Sequence, residues 1–225
     1  MARTHPRVQG HVRFTYNLEC TRYMSSVARG DAFEKRVFDA ITHVLAQDGL
    51  GLSPKHATVH WRKPYFSRDR DADIIVDVSI EVWLPGAPNY SFLWVCECKD
   101  YTGRLAINEV EEFKAKLDQI AGVNKKGILA ITGALQRSAF NYARSQGIGV
   151  LRLLPDDQIV HKLHMSRAER EDRVALVEEA ITEPSYIGNR RDVYAEINGA
   201  CLGSWEALVT KALTCSKPMV DPEDR

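Results

Sequence analysis

The chain has 225 residues, 44% of them hydrophobic, with 30 basic and 30 acidic side chains. That is enough apolar material for one sizeable core, which excludes a disordered chain, and the balanced total excludes a general basic coat for nucleic acid. Nothing approaches the roughly 18 apolar residues of a membrane span, and the start "MARTHPRVQGHVRF" lacks a secretory core, so a cytoplasmic protein with no membrane partner is expected.

Charge is unevenly spread. Residues 1–70 carry 12 basic and 6 acidic side chains, residues 71–155 carry 9 and 10, and residues 156–225 carry 9 and 14. A basic front permits a polyanionic partner on one face. The five cysteines, Cys20, Cys96, Cys98, Cys201 and Cys215, form no C-x-x-C pair, so free thiols are expected.

Residues 1–29 lack a clear period and read as an N-terminal arm. From Gly30, "GDAFEKRVFDAITHVLAQDG" places Phe33, Val37, Phe38, Ile41, Val44 and Leu45 at helical spacing, with Asp31 as N-cap or first-turn acid and a stop at Asp48-Gly49. "ATVHW" suggests a short strand, followed by a basic, aromatic loop, "RKPYFSRDR". In "DIIVDVSIEVWL", strict alternation would put Ile74, Val76, Val78, Ile80, Val82 and Leu84 on one face and Asp73, Ile75, Asp77, Ser79, Glu81 and Trp83 on the other. "PGAPN" has turn composition, and "YSFLWVCECK" returns as a second strand.

A helix, "NEVEEFKAKLDQIA", comes next. "GILAIT", "LQRSAFNYARSQG" and "IGVLRLL" then read as strand, helix and strand, a crossover that implies parallel pairing. The expected fold class is therefore α/β with a central mixed sheet flanked by helices over residues 30–155. A small, mainly helical C-terminal extension is expected over 156–225, with "SRAEREDRVALVEEAI" as a helix, a strand in "DVYAEING" and "SWEALVTKAL" as a last amphipathic stretch.

"LWVCECKDY" carries the chemistry. Glu97 and Lys99 interrupt an apolar strand, and burying either charge costs several kcal/mol unless it is paired. If the preceding turn centres near residue 87, opposed residues have numbers summing to about 174, which sets Asp77 against Glu97. Two converging carboxylates repel unless a cation lies between them. Mg2+ suits such a site, with Mn2+ as a substitute, because it takes one or two carboxylates and keeps several waters. Asp77, Glu97 and the Cys98 backbone carbonyl are the candidate metal ligands, and Asp73 is the alternative to Asp77 if the register shifts by four. Lys99 could orient an attacking water and offset charge on a phosphate.

"VDVSIEV" followed by "CECKD" resembles the Asp and Glu-x-Lys strands of the PD-(D/E)xK nuclease superfamily. "GDAFEKRVFDAI" is similar to the G-x-x-FE helix of its Mrr-like restriction endonuclease branch, and "GILAITGALQRSAFNYARSQGIGVLRL" to that branch's strand, helix and strand, with Thr132-Gly133 after the first strand and Ala139 and Ala143 packing the helix. The resemblance spans about residues 30–154, although no literal Pro-Asp is present. It implies a restriction-endonuclease-like core, Asp77, Glu97 and Lys99 as catalytic triad, and Glu34 as the helix glutamate that often completes the metal site. A helix-dipole role is the alternative for Glu34. Of the two [DE]-x-Lys triplets, Glu112-Phe113-Lys114 lies in a helix where its charges point apart, and only Glu97-Cys98-Lys99 lies in a buried strand.

Arg62, Lys63, Arg68 and Arg70, interleaved with Trp61, Tyr65 and Phe66, form a candidate nucleic-acid contact, while Gln119, Lys125 and Lys126 are weaker phosphate candidates. His161 and His164 lack further ligands at suitable spacing and read as surface residues. The expected function is a Mg2+-dependent endonuclease acting on DNA, in defence against foreign or modified DNA. Double-strand cleavage would call for a homodimer, and the acidic C-terminal extension offers a surface for a partner protein. Two alternatives stand beside it: a catalytically silent nucleic-acid-binding module, and an assembly or regulatory protein working through that extension.

Overall fold

The computed structural model describes residues 25–46, 54–120, 124–154, 159–160, 173–189, 193–203, 207–208 and 211. Residues 1–24 of the expected arm, the stop at Asp48-Gly49, His161 and His164, Cys20 and Cys215, and most of "SWEALVTKAL" lie outside the described residues.

Helix α1 (Ser26–Ala46) begins four residues before Gly30 because Ser25 caps it. The Ser25 Oγ accepts the Ala28 N–H at 3.2 Å, and the Ser25 carbonyl accepts the Arg29 N–H. This is the usual way a serine satisfies an otherwise unpaired N-terminal donor. Asp31 is thus not the cap, and Glu34 lies more than two turns in, beyond the reach of the dipole role expected for a first-turn acid.

Strand β1 (Ala57–Ser67) runs through the segment expected to be a loop. Pro64 suggested a break, but β1 is an edge strand, where a missing N–H costs no ladder bond on the open side. Next come β2 (Ala72–Val82), β3 (Phe92–Lys99), the two-residue β4 (Arg104–Leu105) and α2 (Ile107–Gln119). They are followed by β5 (Lys125–Ile131), β6 (Ala134–Leu135), α3 (Arg137–Ser145) and β7 (Gly149–Leu153). The described remainder holds β8 (Ile159–Val160), α4 (Arg173–Thr182), β9 (Gly188–Asn189), β10 (Val193–Ile197) and β11 (Ala200–Leu202).

Seven strands form one mixed sheet in the order β1-β2-β3-β5-β7-β10-β11. The β3/β5 and β5/β7 pairs are parallel and the others antiparallel. Helix α1 covers one face, burying Phe33, Val37, Ile41 and Val44 against Val78, Ile80, Trp94 and Ile128. The other face carries Val110 and Phe113 of α2, Ala139, Phe140 and Ala143 of α3, and Ala180 and Ile181 of α4, over Val95, Leu129 and Val150. Where a mainly helical extension is expected, α4 is joined by β10 and β11, which continue the central sheet. All five residues of β10 are buried, so "VYAEI" is sheet interior rather than appendage.

The β2–β3 register matches the hairpin arithmetic, since each rung, including Val78 with Cys96 and Ile80 with Trp94, sums to 174. Strict alternation along β2 fails, however. Val78 and Ile80 pack under α1, whereas Ile74 and Val76, of the same parity, pack on the opposite face. The strand changes sides at Asp77, opposite the point in β1 where Arg62 takes a left-handed φ of 51°. This crossing lifts Asp77 out of the regular pleat and frees its carboxylate for the end of β3.

Arg152 of β7 is buried to 2% exposure. Its guanidinium donates to the carbonyls of Ala180 (2.7 Å), Glu183 (2.6 Å), Pro184 (3.4 Å) and Thr132 (3.3 Å). It therefore ties the C-terminal end of α4 to the loop after β5. Burial lowers its pKa to about 10, which leaves it charged near neutrality. Among the described residues no helix is long and apolar enough to cross a membrane.

Candidate functional site

Asp77, Glu97 and Lys99 meet at the carboxyl end of β3, where ligands gather in open α/β sheets. The β2–β3 ladder stops at Val78 with Cys96, one step short of Asp77 and Glu97. Beyond it, the Asp77 Oδ2 accepts the Cys98 N–H at 2.7 Å, taking the place of a backbone partner. The Cys98 edge that would have paired with β2 therefore faces the Asp77 carboxylate.

Glu97 is 5% exposed. Its Oε1 accepts Lys116 Nζ of α2 at 2.7 Å and lies 3.5 Å from Lys99 Nζ. Lys99 in turn pairs with Glu109 Oε2 at 3.0 Å. Burial alone would lower the Lys99 pKa, but the bond to Glu109 and the field of Glu97 carry it above the ordinary lysine value.

Asp77 titrates in the opposite sense to a well-paired carboxylate. Desolvation and the neighbouring charge of Glu97 push it up to about 7, against the Cys98 N–H and Lys116, which favour its ionised form. Between the ordinary value of 3.8 and about 7 the folded protein retains a proton that the unfolded chain has released, so stability is lost as pH rises through that window. Asp77→Asn keeps the oxygen that accepts the Cys98 N–H and removes the charge. It is expected to stabilise the metal-free protein by roughly 2 kcal/mol at about pH 8 and by almost nothing near pH 4, read as thermal melting at both pH values. Equal destabilisation at both would contradict the electrostatic account.

Glu34 reaches the site from α1, where its Oε2 accepts Arg62 Nε at 2.7 Å and Trp61 Nε1 at 3.4 Å, and Arg62 also bonds Asp31. Its charge adds to the upward push on Asp77. Asp73, the alternative ligand, is exposed and stands opposite Phe66, four residues and about 13 Å along β2 from Asp77.

The four basic residues expected to touch nucleic acid are dispersed. Arg62 is bound to α1 acids, and Lys63 points to the sheet face opposite α1, bonding the buried Glu81 at 2.6 Å beside Tyr65 and His60. Arg68 and Arg70 occupy the β1–β2 turn, where Arg70 Nε bonds Gln119 Oε1 at 2.6 Å. They do not form one loop surface, because residues 62–67 are strand. Lys125 pairs with Leu93, six residues before Lys99, so it and Lys126 stand about 20 Å away at the opposite end of the sheet. Lys125 instead bonds the Ile120 carbonyl at the end of α2.

Three features escape the sequence pattern. Lys116 was hidden because "EEFKAK" reads as a solvated helix face; its only sequence signal is that the helix follows the Glu-x-Lys strand. Glu109, in the first turn of that helix, anchors Lys99. At the rim, the Thr132 hydroxyl donates to Asp100 at 2.7 Å and accepts the Tyr101 N–H, while Arg29 of α1 lies 3.6 Å from Asp100. Gly133 is required there, since a Cβ would come within 2.5 Å of the Tyr101 and Gly103 carbonyl oxygens.

Among the described residues no three His, Cys, Asp or Glu side chains form a ready-made metal cage. The donor set nevertheless fits a hard ion that keeps most of its waters: two carboxylates, one of them held above its usual range by burial and by the charge of the other, beside a backbone edge outside the β2–β3 ladder. Zinc, which favours His and Cys, does not fit it. Comparison with protein-family models, with curated proteins and with solved structures finds no match, so the residues themselves carry the functional assignment.

Proposed function

We propose that the protein is a Mg2+-dependent endonuclease hydrolysing DNA phosphodiester bonds, with Mn2+ as a substitute ion. The observation that carries this reading is the Asp77–Glu97 pair with Lys99 beside it: two carboxylates brought together at a strand end at an electrostatic cost, with an ammonium 3.5 Å from one of them. Such costs are concentrated at functional sites. The order of α1, three antiparallel strands, α2 and a parallel β5 supports the resemblance to a restriction-endonuclease-like core.

Asp77, Glu97 and the Cys98 carbonyl would hold the ion, with Glu34 bearing on it from α1. The ion would supply Lewis-acid activation of water and neutralisation of phosphate charge. Lys99, held by Glu109, orients the attacking water and faces the charge that develops on the phosphate. Defence against foreign or modified DNA remains the biological setting implied by the Mrr-like resemblance, and cutting both strands would need a second copy of the chain.

Purified protein is expected to nick or cut supercoiled plasmid with Mg2+ or Mn2+ and to stop when the ion is chelated. Salt-sensitive DNA binding with no ion-dependent cleavage would favour the silent binding module instead.

A further inference from the structure

Among the described residues around the site, the cations suited to a phosphate have a carboxylate within 4 Å: Lys99 on Glu109, Lys116 on Glu97, Arg62 on Glu34 and Arg29 on Asp100. Lys116 differs from the others in what it occupies. Its Nζ sits 2.7 Å from Glu97 Oε1, the same oxygen that Lys99 approaches at 3.5 Å, and Glu97 is buried. A divalent ion and an ammonium cannot share a carboxylate oxygen at that range without strong repulsion.

Lys99 is fixed by its shorter bond to Glu109, so Lys116 is the group able to leave. A second acid is within its reach: Glu112, one turn earlier on α2, lies 4.0 Å away and its side chain is 61% exposed. We infer that Lys116 is a positioning residue that exchanges with the divalent ion, holding Glu97 when the ion is absent and moving to Glu112 when it binds. This rests on the ion site proposed above. The exchange prevents the two carboxylates from facing each other unscreened, at the expense of weaker ion binding.

The test is Mn2+ binding to the full chain, read as free Mn2+ by electron paramagnetic resonance, for the wild type, Lys116→Met, Lys116→Gln and Asp77→Asn. Removing the competing charge is expected to tighten binding about tenfold in both Lys116 variants. Circular dichroism melting identifies any variant that fails to fold, and Lys116→Gln preserves the length and polarity of the helix face. Binding lost in Asp77→Asn but unchanged or weakened in both Lys116 variants would overturn the exchange while leaving the ion site standing. Absence of Asp77-dependent Mn2+ binding in the wild type would overturn both.

Discussion

Lys99→Ala is expected to reduce plasmid cleavage at least about a thousandfold while leaving the melting temperature nearly unchanged. A charged donor aimed at the developing phosphate charge is worth about 3–4 kcal/mol of transition-state stabilisation, a hundred- to thousandfold in rate, and loss of water positioning adds to it. The fold has little stake in this side chain. Its ion pair with Glu109 joins partly exposed groups, a class worth about 1 kcal/mol or less, and Glu97 keeps the closer Lys116. Asp73→Ala is the matched control: it lies on the same strand as Asp77 but is exposed and about 13 Å away, so cleavage should persist. Full activity in Lys99→Ala, with contaminating nuclease excluded, would refute the assignment.

Arg152→Ala is expected to have the largest effect on stability, about 3–5 kcal/mol, or a fall in melting temperature of roughly 6–20 °C for a chain of this size. Burying the guanidinium is costly, as its lowered pKa records, but it donates to four carbonyls at once. Alanine would remove every one of those bonds, leave buried acceptors at the end of α4, and open a cavity where one of the largest fully buried side chains stood. Arg152→Lys should fall between, since an ammonium keeps the charge near the helix C-terminus but lacks the planar fork. A melting temperature within about 2 °C of wild type for Arg152→Ala would show that the carbonyls find other partners. Thr132, one of the four acceptors, also bonds Asp100, so this variant should loosen the rim beside Lys99 as well.

How much of this was legible depends on whether a feature has a local period. The hairpin register was, because the turn composition of "PGAPN" centres the connection near residue 87, and within it Gly86 has the positive φ of 76° that the Leu84–Ala87 turn needs. The crossover of β5, α3 and β7 was legible too, since "GILAIT" and "IGVLRLL" are short apolar runs joined through a helical segment by short connections, and their side chains are buried in a parallel pair. The side-switch at Asp77 was not, because a left-handed Arg62 on the neighbouring strand leaves no pattern in β2. Strand β1 was cut short at "RKPYFS" because proline and charges suggest loop, while edge position and the buried Glu81 make Lys63 acceptable there. Lys116 illustrates a further limit. Its helix position looks solvated, and only the three-dimensional approach of α2 to β3 reveals that it neutralises Glu97. Asp77 and Glu97 could be placed opposite one another from numbering alone, but that Asp77 is held above the usual carboxylate range required the burial around it.

The most direct measurement is anomalous diffraction from crystals of the protein grown with Mn2+. An ion bound by the carboxylates of Asp77 and Glu97, with Lys116 displaced from Glu97, is the predicted result. Crystals saturated with Mn2+ that show no ion at these carboxylates, from protein that still cuts DNA, would contradict the account.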